Sequence, residues 1–399
     1  PAHKGKAFIN YHDIGDYLSR EEKLAIIAGM RSVLNPAMQW QQLHPDAHGD
    51  WLNQRNDVFS TFIPLGDKDN KDNKQTFFVP YYSNGLKTNR DAWCWNFSKE
   101  SLHSNISNSI LFYNSEVEKI KKVDNNTCDL FDTVNKDEKK FSWDRQQRKD
   151  ILALKIYTFM PESIREGTYR PFQKSYSYFN KELNNCVYQL PKLFPTHDTK
   201  NMVICVSGVG VTKRFSCIIT NILPDLELIG KSQCFPLYYY EKKSIYHPTL
   251  FDGDDNAQYT RKDGITAFIL ERCRASYGPK VTKEDIFYYV YGLLHSPEYR
   301  KAFAADLKKM LPRLPLVEKP ADFWAFSRAG RALAELHLSY ETRPACPEVK
   351  VEGAESGKFR VEKMRFGKTD AGMVDKSVIE YTSWIRLTGI PLDVYDYVV

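Results

Sequence analysis

Asp225 follows Pro224, and Glu241 and Lys243 close a strand-like run a short way on. A P-D … E-x-K arrangement of this kind can hold a divalent ion and orient an attacking water, as many nucleases do. The pattern is short and arises often by chance, and a turn aspartate plus an exposed strand end account for it more simply. Gly208-Val209-Gly210-Val211-Thr212-Lys213-Arg214 offers backbone N–H groups and two cations to an anion. It matches neither G-x-x-x-x-G-K-[ST] nor G-x-G-x-x-G, so a tight turn between two strands is the expectation. Asn35-Pro36-Ala37-Met38 lacks the second proline and the stacking aromatic of the N-P-P-Y loop that grips adenine in amino-methyltransferases. No glycine-rich site for S-adenosylmethionine is visible. His44 and His48 stand four apart, but Pro45 breaks a helix there and no Glu follows His44. With no G-x-S-x-G and no C-x-x-C, the sequence displays no catalytic centre and no structural zinc site.

Cations set in turns are its more distinctive chemistry. Ser83 to Trp93 places Lys87, Asn89 and Arg90 beside Gly85, in what reads as an exposed glycine turn. Arg and Lys can pair with guanine O6 and N7, and Asn with adenine N6 and N7. Gly167-Thr168-Tyr169-Arg170-Pro171-Phe172 is a second basic turn, and Ser207 to Arg214, with Lys213 and Arg214, is a third. Lys308, Lys309, Arg313, Arg328 and Arg331 lie off the apolar stripes of later helices, where they suit phosphate contacts. Taken alone, these residues are equally well scattered solvated charges.

The elements that must position them belong to a chain of 399 residues with 42% hydrophobic and 27% charged residues. That length predicts two or three domains and excludes wholesale disorder. The net charge, 56 cations against 50 acids or +6, permits an anionic partner without requiring one. No apolar run is long enough to span a membrane, and the opening residues carry no signal peptide. The missing initiator Met and the Tyr397-Val398-Val399 ending suggest a piece of something longer. The eight cysteines, Cys128 among them, are scattered, which fits reduced thiols in the cytoplasm.

Ala7 to Tyr11 reads as a strand, and Ser19 to Glu22 as a capping box ahead of Leu24, Ile27 and Met30 at helical spacing. Trp40, Trp51, Phe59 and Phe62 are expected packing anchors. Asp67 to Lys74 is a polar run that suits a linker. A β-rich part follows, with strands over Met202–Ser207, Arg214–Ile219 and Cys234–Tyr240, one helix over Ser98–Glu118, and a polar stretch from Asn125 to Lys149. From 263 the pattern turns helical: Ile265, Phe268, Ile269 and Cys273 before Gly278, a cap at Thr282, and a Ser296-Pro297 start to a helix ending before Pro312. The last helix, Phe323 to Tyr340, should turn Phe323, Phe326, Leu333, Leu336 and Tyr340 inward. The tail from 347 alternates like antiparallel strands. The expected class is α+β: a β-rich part over 75–260, a helical bundle over 261–345 and a small β segment over 346–399, preceded by a junction over 1–70.

Six strings together carry a resemblance. They are Tyr11 to Leu24, Gly85 to Trp93, Tyr169-Arg170-Pro171-Phe172, Phe235-Pro236-Leu237-Tyr238, Glu284 to Pro297 and Trp324 to Arg331. The chain resembles the C-terminal specificity part of single-polypeptide type I (type ISP) restriction–modification enzymes over nearly its whole length. The resemblance implies sequence readout of double-stranded DNA that places one adenine for an adjacent adenine-N6 methyltransferase, whose end would occupy residues 1–70. The methyltransferase body, the helicase-like motor and the nuclease would lie upstream. So would the uses of S-adenosylmethionine, ATP and Mg, leaving no cofactor and no membrane contact in this part. It implies no residue-level roles, so Lys87, Asn89, Arg90, Arg170, Lys213, Arg214, Lys308, Lys309, Arg328 and Arg331 are candidates on chemistry and turn context alone. A metal-dependent nuclease using Asp225, Glu241 and Lys243 and a protein-interaction module remain as alternatives.

Overall fold

The computed structural model describes residues 7–397, apart from Lys71, residues 124–129, residues 244–257 and residue 362. Cys128, the first six residues, the opening of the polar stretch from 125 and the final Val398-Val399 lie outside the described residues. The fold is α+β, and its centre is a four-stranded antiparallel sheet in the order Ser83–Asn84, Gln233–Pro236, Val203–Val206, Cys217–Thr220. Successive strand residues point to opposite faces. Ile204, Val206, Cys217, Ile219 and Phe235 therefore enter one core, and Val203, Cys205, Ile218 and Cys234 enter another. Burial on both faces is why these strands read as unbroken apolar runs.

The helical layer covers the first face. Its helices span Ala267–Tyr277, Lys283–Leu294, Pro297–Ala302, Ala304–Lys309 and Pro320–Leu338. Thr282 and Ser296 accept first-turn amides at their caps, as their positions foretell, Thr266 does the same ahead of the first helix, and Gly278 ends that helix at a positive φ of 106°. The expected single helix up to Pro312 is two short ones, broken at Phe303. The last helix buries Phe323, Ser327, Gly330, Ala334 and His337, while Leu336 faces out. Small residues win the inward stripe because the helix crosses Lys283–Leu294 at contact distance. A Cβ on Gly330 would lie 2.0 Å from the Tyr288 carbonyl oxygen, and one on Gly292 would lie 2.3 Å from that of Phe326.

A second sheet lies against the other face, in the order Leu223–Pro224, Ile164–Arg170, Gln173–Tyr178, Trp95–Asn96. Helix Lys99–Ile120 backs it through Leu102, Ile106, Ile110, Tyr113 and Val117, spaced as one helical face. The tail forms a separate four-stranded sheet, Lys350–Glu352, Arg386–Thr388, Val374–Glu380, Arg365–Lys368.

Two expected divisions do not separate cores. The β-rich and helical parts share one core, where Ile204 and Phe235 meet the residues of helix Lys283–Leu294. Residues 56–65, placed by the sequence in an upstream junction, are stitched into the helical part. Phe59 and Leu65 are buried in that shared core, Ile63–Pro64 pairs with Arg313–Leu314, and the Asn56 amide donates to Asp306. Upstream, the Ser19–Glu22 capping box forms as expected, but Leu24 and Ile27 are each 55% exposed. Trp40 and Trp51 are exposed as well, so they are not packing anchors here.

Gly330→Val should destabilise the protein by about 1–3 kcal/mol, because the branched side chain must push the two helices apart. Chemical denaturation measures this, and an unchanged midpoint would show that the helices have room to separate.

Candidate nucleic-acid interface

Hairpin Ile164–Arg170/Gln173–Tyr178 ends in an irregular tip. Its register shifts between Thr168 and Arg170, and Phe172 takes a left-handed φ of 55°. The tip is anchored. The Phe172 ring packs edge-on against His337 and Tyr340, and Lys174 pairs with Glu341 at 2.7 Å, so the hairpin is held against the end of helix Pro320–Leu338.

On this tip the Arg170 guanidinium stacks over the Tyr169 ring at 3.8 Å and donates to Asp225 Oδ1 at 2.7 Å. Its other terminal nitrogen is 3.6 Å from Asp91, which also accepts from the hydroxyls of Tyr169 and Thr88. Asp225 is almost fully buried. Burial pushes its carboxyl up to about 7, against the downward pull of the Glu227 amide and of Arg170. Asp91 and Asp225 thus join two of the strings singled out in the sequence, Gly85–Trp93 and Tyr169–Phe172.

The facing wall is the loop between strands Val203–Val206 and Cys217–Thr220. It is longer than a tight turn and is tied down at several points. The Ser207 amide donates to the Ser216 carbonyl, the Gly208 amide to the Gly230 carbonyl and the Gly210 amide to the Lys308 carbonyl. A Cβ on Gly208 would sit 2.4 Å from the Lys231 carbonyl oxygen, so only glycine fits there. Lys213 and Arg214 project from the exposed crest of this loop. Between loop and hairpin lies a cleft of about 690 Å³, lined by Arg170, Lys213, Arg214, Lys231 and the carboxylate of Glu227 among others. Lys213, Arg214 and Lys231 make no salt bridge among the described residues. With Arg170 offset by Asp225, the cleft keeps an excess of positive charge.

Four of the ten candidates therefore gather here: Arg170, Lys213 and Arg214 line the cleft, and exposed Lys308 adjoins it through the Gly210 contact. The others do not. Arg90 is a correction. Its side chain is 2% exposed and donates to the Leu183 and Ser142 carbonyls, to Asp144 at 3.1 Å and to Gln147, so it ties loops together and presents nothing to a partner. The expected exposed glycine turn is a buried segment, because Gly85 packs against the Asp225 carbonyl and Leu86 bonds to Pro224 and Leu226. Lys87 is half-buried in a bridge to Cys186, and Asn89 is exposed at a φ of 56°. Lys309 is engaged with Asp50 at 2.8 Å and the Asn53 carbonyl. Arg331 pairs with Glu284 at 2.6 Å over the Tyr288 ring. Arg328 is exposed. Lys231 was missed by sequence reasoning, and its one signal is a glycine followed by a cation after an apolar pair.

The P-D … E-x-K residues have separate partners. Asp225 is bound to Arg170, whereas Glu241 pairs with Lys262 on strand Tyr259–Asp263 and the Lys243 amide donates to Gln258. No group of three His, Cys, Asp or Glu side chains gathers among the described residues.

Comparison with known proteins then places this geometry. The model of one family, the type ISP C-terminal specificity domain, matches residues 77–399. A nuclease-deletion mutant of the type ISP restriction–modification enzyme LlaGI, solved with a DNA substrate mimic, is 35% identical over 98% of this chain with a TM-score of 0.79. The ATP-dependent type ISP restriction–modification enzyme LlaBIII, solved bound to DNA, is 32% identical over 99% of this chain, also at 0.79. A DrdV–DNA complex is 25% identical over 91% at 0.72. This chain spans 33%, 24% and 34% of those three chains, respectively. A search of curated proteins found no match.

Arg90→Ala should destabilise the protein by about 3–5 kcal/mol, since it removes the ion-pair partner of Asp144 and the donor to the buried Leu183 and Ser142 carbonyls. Lys213→Ala should change stability by less than about 0.5 kcal/mol. Denaturant titration of the two variants separates a structural arginine from a surface cation. Asp225 gives a pH signature. Its folded-state value lies above the ordinary 3.8, so its stabilising contribution is complete below that value and is lost as pH rises through about 7. Melting curves between about pH 5 and about pH 8 should accordingly be flatter for Asp225→Asn than for the wild type; equal slopes would show that Asp225 ionises as an ordinary carboxylate.

Proposed function

Because the chain belongs to the type ISP C-terminal specificity domain family, we propose that it reads a short sequence in duplex DNA for a restriction–modification enzyme. The cleft between the Arg170 hairpin and the Lys213-Arg214 loop carries this reading. Lys213, Arg214, Lys231 and Lys308 hold phosphates there, which fixes the register of the protein on the duplex without reading it. Arg170 is the candidate base reader. Asp225 and the Tyr169 ring keep its guanidinium in one plane, and a planar donor fork held this way can address guanine O6 and N7 with its remaining N–H groups. Exposed Asn89 and half-buried Lys87 are secondary candidates at the neighbouring string.

On this reading residues 1–70 contain the end of an adenine-N6 methyltransferase. DNA held by the recognition part presents one adenine for flipping into that methyltransferase. S-adenosylmethionine, ATP and Mg²⁺ are used by the upstream methyltransferase, motor and nuclease parts, and unmodified sites direct restriction. No described helix is long and apolar enough to cross a membrane, which is compatible with action on DNA in the bacterial cytoplasm.

Selection of bound duplexes from a randomised pool, at low and then higher salt, tests the reading. One short enriched motif is the expected outcome. Salt-sensitive binding without enrichment would leave a phosphate grip only, and no binding at all would favour the protein-interaction alternative. With the motif in hand, the double replacement Lys213→Ala and Arg214→Ala should weaken binding to all sequences and reduce the slope of log affinity against log salt by about 2. Arg170→Ala should instead relax preference at one base pair, by about 1–3 kcal/mol.

A further inference from the structure

The C-terminal sheet holds a second cleft, of about 280 Å³, that shares no lining residue with the first. Lys358, Arg360, Lys363 and Arg365 contribute four cations to it, against the single carboxylate of Glu380 among the described residues. That carboxylate is engaged, since Arg365 pairs with it and Arg386 lies 3.7 Å away. Lys358, Arg360 and Lys363 make no salt bridge among the described residues. Like charges around so small a space repel one another, and the sheet does not need them: its strands are joined by their own ladders and by a turn in which the Thr382 hydroxyl accepts the Trp384 and Ile385 amides. Lys358 is nevertheless held in place, its ammonium 3.5 Å above the ring of Trp384, which is itself 59% exposed.

We propose that this cleft is a second nucleic-acid site, one that grips the phosphodiester backbone of duplex DNA outside the sequence read at the first cleft. The inference rests on the duplex-DNA reading above. Two features select a polyanion over a single small anion. The cations come as two pairs, each two residues apart along the chain, so the positive charge is carried by a run of chain rather than by one residue, which suits a series of phosphates more than a single one. The lining also combines these cations with an exposed indole and the Ser383 hydroxyl, groups suited to a sugar–phosphate edge. The C-terminal sheet is also tethered to the recognition hairpin. Phe366 of the sheet packs on Tyr395 of the tail, the Tyr397 hydroxyl meets His337 Nε2 at 2.6 Å, and the His337 ring meets Phe172 beside Arg170. These contacts connect the segment that carries the second cleft to the hairpin that lines the first, so that one long duplex can be gripped by both parts of the same chain. The second contact adds affinity and no sequence information.

The test uses the 399-residue chain and two duplexes that carry the selected motif, one trimmed to the motif and one with long flanks. The triple replacement Lys358→Ala, Arg360→Ala and Lys363→Ala should lower affinity for the long duplex tenfold or more at moderate salt and reduce its salt slope by about 2–3. Affinity for the trimmed duplex and the motif itself should not change. The single exposed replacement Lys363→Glu should weaken long-duplex binding in the same direction, which guards against a folding defect in the triple variant. Unchanged binding to the long duplex would overturn the proposal, and equal loss on both duplexes would overturn it by assigning these residues to the recognition contact. A wild-type chain that binds neither duplex would defeat the proposed function, and this inference with it; a wild type that binds both duplexes equally would defeat this inference alone.

Discussion

Burial of one sheet on both faces is the constraint on which the rest of the structure depends. Strands Val203–Val206, Cys217–Thr220 and Gln233–Pro236 bury every residue. With no polar face to offer water, the sheet requires a layer on each side. Helices supply one, and a second sheet with its own helical backing supplies the other. The candidate interface is a consequence of this stacking. The loop after Val203–Val206 leaves the inner sheet at the level where the hairpin tip leaves the outer one, so two rigid layers fix the width of the cleft between them.

The two best arginine candidates show what such stacking does to residues of one type. Arg90 and Arg170 sit in similar strings, each beside aromatic and polar neighbours. Arg90 falls between layers, where a buried charge needs acceptors, and Leu183, Ser142, Asp144 and Gln147 accept from its two terminal nitrogens. Arg170 falls at a layer edge. Its ion-pair partner Asp225 is more buried than the arginine itself, and its Nη1 also donates to the Tyr169 carbonyl at 2.6 Å, so the guanidinium is held from behind and faces outward. An ion pair of this shape restricts a side chain without hiding it, which is what a base-reading group needs if it is not to lose conformational freedom on binding.

Much of the local structure was legible because it depends on near neighbours. Ser19, Thr282 and Ser296 cap helices at the positions their spacing foretells, and Gly278 ends one. The continuous apolar runs at 203–206 and 217–220 are strands. Long-range pairing was not legible. Nothing near Ile63 announces its partner Leu314, and nothing near Gly85 announces the Asp225 backbone that presses on it. For the same reason Lys213 and Arg214 could be placed in a turn but not across a cleft from Arg170, and Arg90 could be read as exposed. Leu24 and Ile27 have helical spacing and remain exposed, because periodicity defines a face but not what covers it. The family resemblance rested on whole strings, and strings survive errors in the placement of single side chains.

The tail is connected to the centre by polar contacts whose direction can be worked out. The Ile219 amide donates to the Tyr291 hydroxyl at 3.1 Å, so that hydroxyl has its own proton free for His337 Nδ1 at 2.5 Å. Nδ1 must then accept, which places the imidazole proton on Nε2, where it faces the Tyr397 hydroxyl at 2.6 Å. Burial holds His337 down at about 4, so the neutral ring this relay requires is the form present at ordinary pH. A chain of hydrogen bonds thus runs from the central sheet through two helices to Tyr397, with Phe172 of the Ile164–Arg170/Gln173–Tyr178 hairpin packed against the His337 ring. Because His337 touches both the hairpin and the tail, neither can shift without disturbing a bond to the other. The C-terminal segment is thereby linked, through His337, to the hairpin that carries Arg170.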